Sequence, residues 1–156
     1  MKILDFLNEK AVSADLKAKD KKDVIKELTE LLVKAGALKP KMQEDVIKGL
    51  LNREALGSTG VGQGVAIPHA KCEYVKELVG AIGISKKGVN FDSLDGEPAH
   101  IFFLLLAPLD SSGPHLKALA RISKLLKDKY FRDGLKNAQN EKELLKIIKE
   151  EDERKA

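Results

Sequence analysis

The sequence predicts a three-layer α/β/α sandwich, with a central mixed sheet and helices on both of its faces. Three observations predict it: apolar stripes at three- and four-residue spacing, short apolar runs bounded by Gly, Pro or Asp, and the interleaving of the two along the chain. A first strand is expected where Val12, Ala14, Leu16 and Ala18 alternate with Ser13, Asp15 and Lys17. A helix over 20–35 follows, carrying Val24, Ile25, Leu28, Leu31, Leu32 and Ala35, with Gly36 placed to end it. After the Lys39-Pro40 break, Val46, Ile47, Leu50 and Leu51 define a second helix that stops near Gly57 and carries Arg53 on its last turns. Strands are expected at 65–67, 78–84 and 101–107, the last two central. Ser111-Ser112-Gly113-Pro114 is a cap sequence leading into a helix with Leu116, Leu119, Ala120, Ile122, Leu125 and Leu126. A final helix over 140–150, capped by Asn140, presents Leu144, Leu145, Ile147 and Ile148. No repeat or linker divides the chain, so residues 1–150 are expected to form one domain and residues 151–156 a tail that frays.

Lys and Arg number 28 against 24 Asp and Glu, a net charge of +4, and the signs alternate along polar helix faces. That is the pattern of a solvated surface. Nucleic-acid binding requires a one-signed stripe with stacking aromatics, and a chain with 4% aromatic residues and no Trp lacks it. Cys72 is the only cysteine, the opening MKILDFLNEK is amphipathic, and the longest apolar run, 101–107, is too short to span a bilayer. A cytoplasmic protein without membrane insertion is expected.

The chemistry concentrates between Arg53 and Lys71, in REALGSTGVGQGVAIPHAK. Glycines at 57, 60, 62 and 64 permit close backbone approach to a ligand, and Pro68 fixes the chain directly before His69. Gly57 and Gly62 have P-loop spacing, but Gln63 and Gly64 stand where that loop needs Lys and Ser or Thr, which argues against a nucleotide. The glycine spacing and the strand-like Ala66-Ile67-Pro68 also exclude a dinucleotide fingerprint.

His69, between Pro68 and Ala70, is the candidate phosphoryl acceptor, since neutral imidazole is a competent nucleophile near neutral pH. Taken alone it reads first as a surface or capping residue, and the glycine-rich context shifts that reading. His115, in the first turn of an expected helix, is the candidate neutral donor to a phosphoryl oxygen, against a plain helix-start residue. Arg53 offers a planar fork for the oxygens during transfer, against an ion pair with Glu54. Thr59 and Ser58 are candidates for hydroxyl bonds to the phosphoryl group, with Gly60 and Gly62 supplying the backbone around it, or else they close a turn. The loops at 68–69 and 111–115 both follow expected strands, where α/β folds collect ligands. His100 reads as a partly buried strand residue. His69, His100 and His115 show no ligand spacing, so no metal is expected. Cys72 has no visible partner for a hydrolase triad.

The stretch GSTGVGQGVAIPHAK resembles the active-site region of enzyme IIA domains of the bacterial phosphoenolpyruvate-dependent phosphotransferase system, in the fructose/mannitol class. The likeness extends to GVNFDSLDGEPAHIFFLLLAP and SSGPHLKALARISKLL, and so covers nearly the whole chain. The resemblance implies a single mixed-sheet α/β domain that acts as a phosphotransferase. It implies phosphate carried on Nε2 of His69, with His115 and Arg53 as the second histidine and the arginine of the site. It also implies a donor that is the phosphohistidine of HPr or its nitrogen-branch relative, with no metal, nucleotide or other cofactor taking part. The expected function is a nitrogen-regulatory phosphoryl carrier that acts on an enzyme IIB or on regulatory targets. The alternative is a sugar-specific subunit passing phosphate to a IIB cysteine. Two other classes of function stand beside these: a regulatory module whose His69 only switches partner binding, and a hydrolase using His69 and Cys72. An apolar docking rim of Val61, Val65, Ile67 and Leu109 is expected around His69.

Overall fold

Residues 1–156 are all described by the computed structural model, and the apolar stripes and runs resolve into eleven main elements. Leu7–Ser13 (β1) is followed by Lys21–Lys34 (α1), whose N-terminus is capped by the Asp20 carboxylate accepting from Asp23 N at 2.8 Å. Gly36, at φ +77°, ends that helix in the left-handed conformation its position demands. A tight turn at Pro40–Met42 leads into Gln43–Ala55 (α2). Three short strands come next: Gly60–Gly62 (β2), Val65–Ala66 (β3) and His69–Lys71 (β4). Val79–Val89 (β5) and Ala99–Ala107 (β6) are the long central pair. Ser112–Leu126 (α3), Lys129–Asn137 (α4) and Glu141–Arg154 (α5) complete the chain.

The sheet runs β1-β5-β6-β3-β2, with β4 also paired to β6. It is mixed: β1 lies parallel to β5, β5 antiparallel to β6, and both β3 and β4 parallel to β6. One face packs Phe102, Leu104 and Leu106 against α1 and α2 through Leu28, Leu32, Ile47 and Leu50. The other packs Ile101, Phe103 and Leu105 against α3, α4 and α5 through Ile122, Leu125, Leu135, Leu144 and Ile148. The expected α/β/α sandwich is therefore the fold. No helix is long and apolar enough to cross a membrane.

Several expectations need correction. The first strand runs over Leu7–Ser13 rather than from Val12 to Ala18, because its ladder to β5 ends at Ser13. Leu16 is apolar and buried for a different reason: its side chain lies over Gly83, where a Cβ would meet Leu16 Cδ1 at 2.7 Å. α4 was not expected, although Asp128 caps it through Phe131 N and it buries Phe131 and Leu135 four residues apart. Ser111 occupies the N-cap position of α3 without a side-chain capping bond, whereas Asn140 caps α5 as expected, accepting from Glu143 N at 2.9 Å.

The tail at 151–156 does not fray. α5 continues to Arg154, and Asp152 is only 1% exposed. Its carboxylate accepts Ile3 N at 2.9 Å, Leu4 N at 3.0 Å and Arg121 Nη2 at 2.8 Å. Composition made the segment look solvated, but three donors from distant elements satisfy this buried charge and tie both ends of the chain together.

Candidate functional site

β3 and β4 are one strand path along β6, interrupted at Ile67-Pro68. Val65 and Ala66 pair with Ile101 and Phe102, and after the interruption His69, Ala70 and Lys71 pair with Leu105, Leu106 and Ala107. Pro68 has no N–H for the ladder, but its carbonyl still accepts Leu105 N at 3.0 Å. β4 pairs with β6 alone, so its outer edge is open. There α2 arrives from one face of the sheet and α3 from the other. Between them lies an open cleft of 520 Å³ lined by Gly49, Asn52, Arg53, Leu56, His69, Ala70, Lys71 and His115.

His69 Nδ1 lies 2.7 Å from the Ile67 carbonyl oxygen. A carbonyl only accepts, so Nδ1 carries the proton and Nε2 keeps its lone pair in the neutral ring. The ring is half-buried and meets His115 edge-on, with centroids 5.5 Å apart and an interplanar angle of 74°. His115, 8% exposed, sits in the first turn of α3, and its Nε2 is buried without a hydrogen-bond partner. Such orphaned polar atoms are few in native proteins, and of the four in this chain His115 Nε2 alone belongs to a residue lining the cleft. Burial pushes its pKa below the usual 6.5, and the neighbouring His69 and Lys71 push the same way. The ring is thus held neutral.

Arg53 is half-buried on the last turn of α2 and donates from Nη1 to the Gly57 carbonyl at 2.8 Å. It has no carboxylate partner. Glu54, the expected one, turns inward instead: Lys21 Nζ is 2.9 Å from its Oε1, and its carboxylate accepts both the backbone N–H and the hydroxyl of Thr59. Arg53, His69 and His115, from three separate elements, are therefore brought to one cleft.

The expected phosphoryl-binding residues Ser58, Thr59, Gly60 and Gly62 are not. The Thr59 hydroxyl is buried on Glu54, and the Ser58 hydroxyl donates to the Phe91 carbonyl at 2.6 Å. Gly60 is a glycine because a Cβ there would stand 2.4 Å from Ser93 Oγ and 2.9 Å from Ser93 Cα. Gly62, at φ +98°, packs against the Asp95 carboxylate. These residues close the β2–β3 hairpin onto the 91–95 loop. Val65 and Ile67, expected on a docking rim, are core residues. Of the other two expected rim residues, Leu109 is exposed on the turn before α3, and Val61 is exposed but lines a separate groove with Ser123 and Leu126; Leu56, in the cleft, and Leu116, which follows His115, are further exposed apolar side chains.

Asn52 and Lys71 line the cleft and were not singled out from the sequence. A helical spacing of one residue from Arg53 signals nothing for Asn52, and Lys71 becomes visible only once β4 is known to be a strand. His100 lies on β6, half-buried, with Nδ1 2.9 Å from the Ser85 carbonyl. Cys72 lies outside the cleft, and burial pushes its thiol pKa up, the opposite of what a nucleophile needs. A larger groove of 670 Å³, between Phe6, Ala37, Met42 and Tyr74, contains no histidine.

The family described as "Phosphoenolpyruvate-dependent sugar phosphotransferase system, EIIA 2" matches residues 5–151. The nitrogen regulatory protein of Bradyrhizobium diazoefficiens is 37% identical over 148 residues, 95% of each chain. The fructose-specific EIIABC component of Bacillus subtilis is 40% identical over 97% of this chain, which spans only 24% of that relative's length. The crystal structure of nitrogen regulatory protein IIA-Ntr from Neisseria meningitidis superposes with a TM-score of 0.82 at 34% identity, covering 92% of this chain and 97% of that one.

Proposed function

Because the chain belongs to the EIIA 2 family of the phosphoenolpyruvate-dependent sugar phosphotransferase system, we propose that His69 Nε2 takes up a phosphoryl group and passes it on. Domains of this family are phosphotransferases that transfer phosphoryl groups through a histidine, and they interact with phosphocarrier and IIB partners. One observation carries the assignment to His69: its Nδ1 proton is committed to the Ile67 carbonyl, which leaves the Nε2 lone pair facing a cleft shared with Arg53 and His115.

The donor is the phosphohistidine of an HPr-like carrier. Its N–P bond breaks with the electron pair returning to the donor nitrogen, while the His69 Nε2 lone pair forms the new N–P bond. Arg53 and neutral His115 bind the equatorial oxygens, on which charge is spread during transfer. No carboxylate lines the cleft to repel them. Held neutral, His115 contributes an N–H donor rather than a further fixed charge, so the phosphoryl group is oriented without being locked in place.

We assign the carrier to the nitrogen-regulatory type. The support is end-to-end similarity to nitrogen regulatory proteins, 95% of both chains in the Bradyrhizobium relative and 95% and 90% in that of Escherichia coli. A fructose-type IIA is the second reading, favoured by the 40% identity to the Bacillus subtilis component. Incubation with phosphoenolpyruvate, enzyme I and each phosphocarrier, followed by addition of a fructose IIB domain, separates the two. Label that stays acid-labile on His69 supports the first reading, and label that moves to a IIB cysteine supports the second.

A further inference from the structure

We infer that Lys71 is a second phosphoryl ligand: once His69 carries phosphate, the Lys71 ammonium binds one of its oxygens and stabilises the phosphorylated protein. The inference rests on His69 as the acceptor and names a residue for which no role has been assigned.

β4 supplies the first ground. His69 and Lys71 are two residues apart on a strand and so project from the same face. The register agrees, since their partners Leu105 and Ala107 flank Leu106, while Ala70, paired with Leu106, packs into the layer of α1 and α2. Two residues of strand span about 6.6 Å, a gap that the four-carbon stem of lysine can bridge.

Charge supplies the second. Lys71 Nζ donates to Ser112 Oγ at 2.5 Å, a neutral partner on the first residue of α3, and Lys71 belongs to no ion pair. Arg53, the other cation of the cleft, is likewise bound only to a carbonyl. A phosphoryl group brings roughly two negative charges. Arg53 answers one of them, and His115 is held neutral, in part by the positive charge of Lys71 itself. Lys71 is the remaining cation lining the cleft. A flexible point charge, rather than a rigid fork, is suited to follow the phosphoryl group after it has arrived.

In this step the ammonium keeps its protons and exchanges the Ser112 hydroxyl for a phosphoryl oxygen. The His69 N–P bond is unaffected, and no further reactant is needed. Lys71 therefore acts on the stability of the phosphorylated state.

The test uses Lys71→Gln and Lys71→Arg in the full chain, phosphorylated from phosphoenolpyruvate through enzyme I and the phosphocarrier. The equilibrium constant for transfer between carrier and this protein is expected to shift about tenfold toward the carrier in Lys71→Gln, the size of one charge-assisted bond. The ³¹P titration of the phosphohistidine is expected to move to higher pH, because a lost cation disfavours the dianion. Lys71→Arg should restore both. The inference is overturned if Lys71→Gln matches wild type in both readouts. It is also overturned if only the rate of uptake falls, which would assign Lys71 to partner encounter, or if Lys71→Arg is no better than Lys71→Gln. Label persisting in His69→Ala would instead overturn the proposed acceptor itself, so the two failures are distinguishable.

Discussion

The hydroxyls of Ser58 and Thr59 have protein partners, on Phe91 and Glu54, while the Nε2 atoms of His69, further along the same stretch, and of His115, on α3, have none. Both regions lie on the same glycine-rich path or against it, and both have phosphate-like chemistry when read as text. One is a hairpin closed on itself and on the 91–95 loop, and the other is a cleft between α2, β4 and α3. The contrast shows that a polar side chain is free for a ligand only when the fold has not already used it.

The comparison predicts that changes in the cleft lower transfer and spare stability, whereas changes in the hairpin do the reverse. The largest expected effect is His69→Ala, which abolishes acid-labile labelling from the phosphocarrier while the circular dichroism and unfolding midpoint stay near wild type. Arg53→Ala and His115→Ala come next, each slowing single-turnover uptake by about 10² to 10³, the cost of one preorganised donor to a developing charge. Rapid-quench measurement of both variants checks this, and normal rates in either would remove that residue from the site.

In the hairpin, Gly60→Ala drives a Cβ into Ser93 and is expected to cost about 1–3 kcal/mol in urea unfolding. Thr59→Val breaks a bond to a buried carboxylate, for about 1–3 kcal/mol, with uptake per folded molecule unchanged. A Thr59→Val protein that is stable but slow would break the comparison and return Thr59 to the phosphoryl site.

The smallest effect is a pH dependence. His115 has a pKa depressed below its ordinary 6.5, so the folded state binds fewer protons than the unfolded chain just below that pH. Its contribution to stability is present above pH 6.5 and is lost as pH falls through the lower, folded-state pKa. His115→Gln should remove this part of the slope in unfolding free energy against pH, and NMR titration of the ring should report the depressed value directly.

Much of this was legible in the chain. The stripes of α1, α2, α3 and α5 are periodic enough to be read directly, and β5 and β6 are apolar because both of their faces are covered. Elements that depend on few residues were missed: α4 rests on Phe131 and Leu135, and β4 is three residues long. The tail was misread because charge in a sequence does not say whether it is paired, and Asp152 is paired three times over.

By itself the sequence determined the layered fold and the family, and put forward Arg53, His69 and His115 as candidates, since periodicity and residue chemistry are local properties that survive without coordinates. Only the tertiary structure decided that His69 Nδ1 is held by the Ile67 carbonyl, that Glu54 belongs to Lys21 and Thr59 rather than to Arg53, and that Lys71 shares a strand face with His69. The physical reason is that hydrogen bonds, ion pairs and strand register join residues far apart in the chain. Which donor meets which acceptor is settled only when the layers pack.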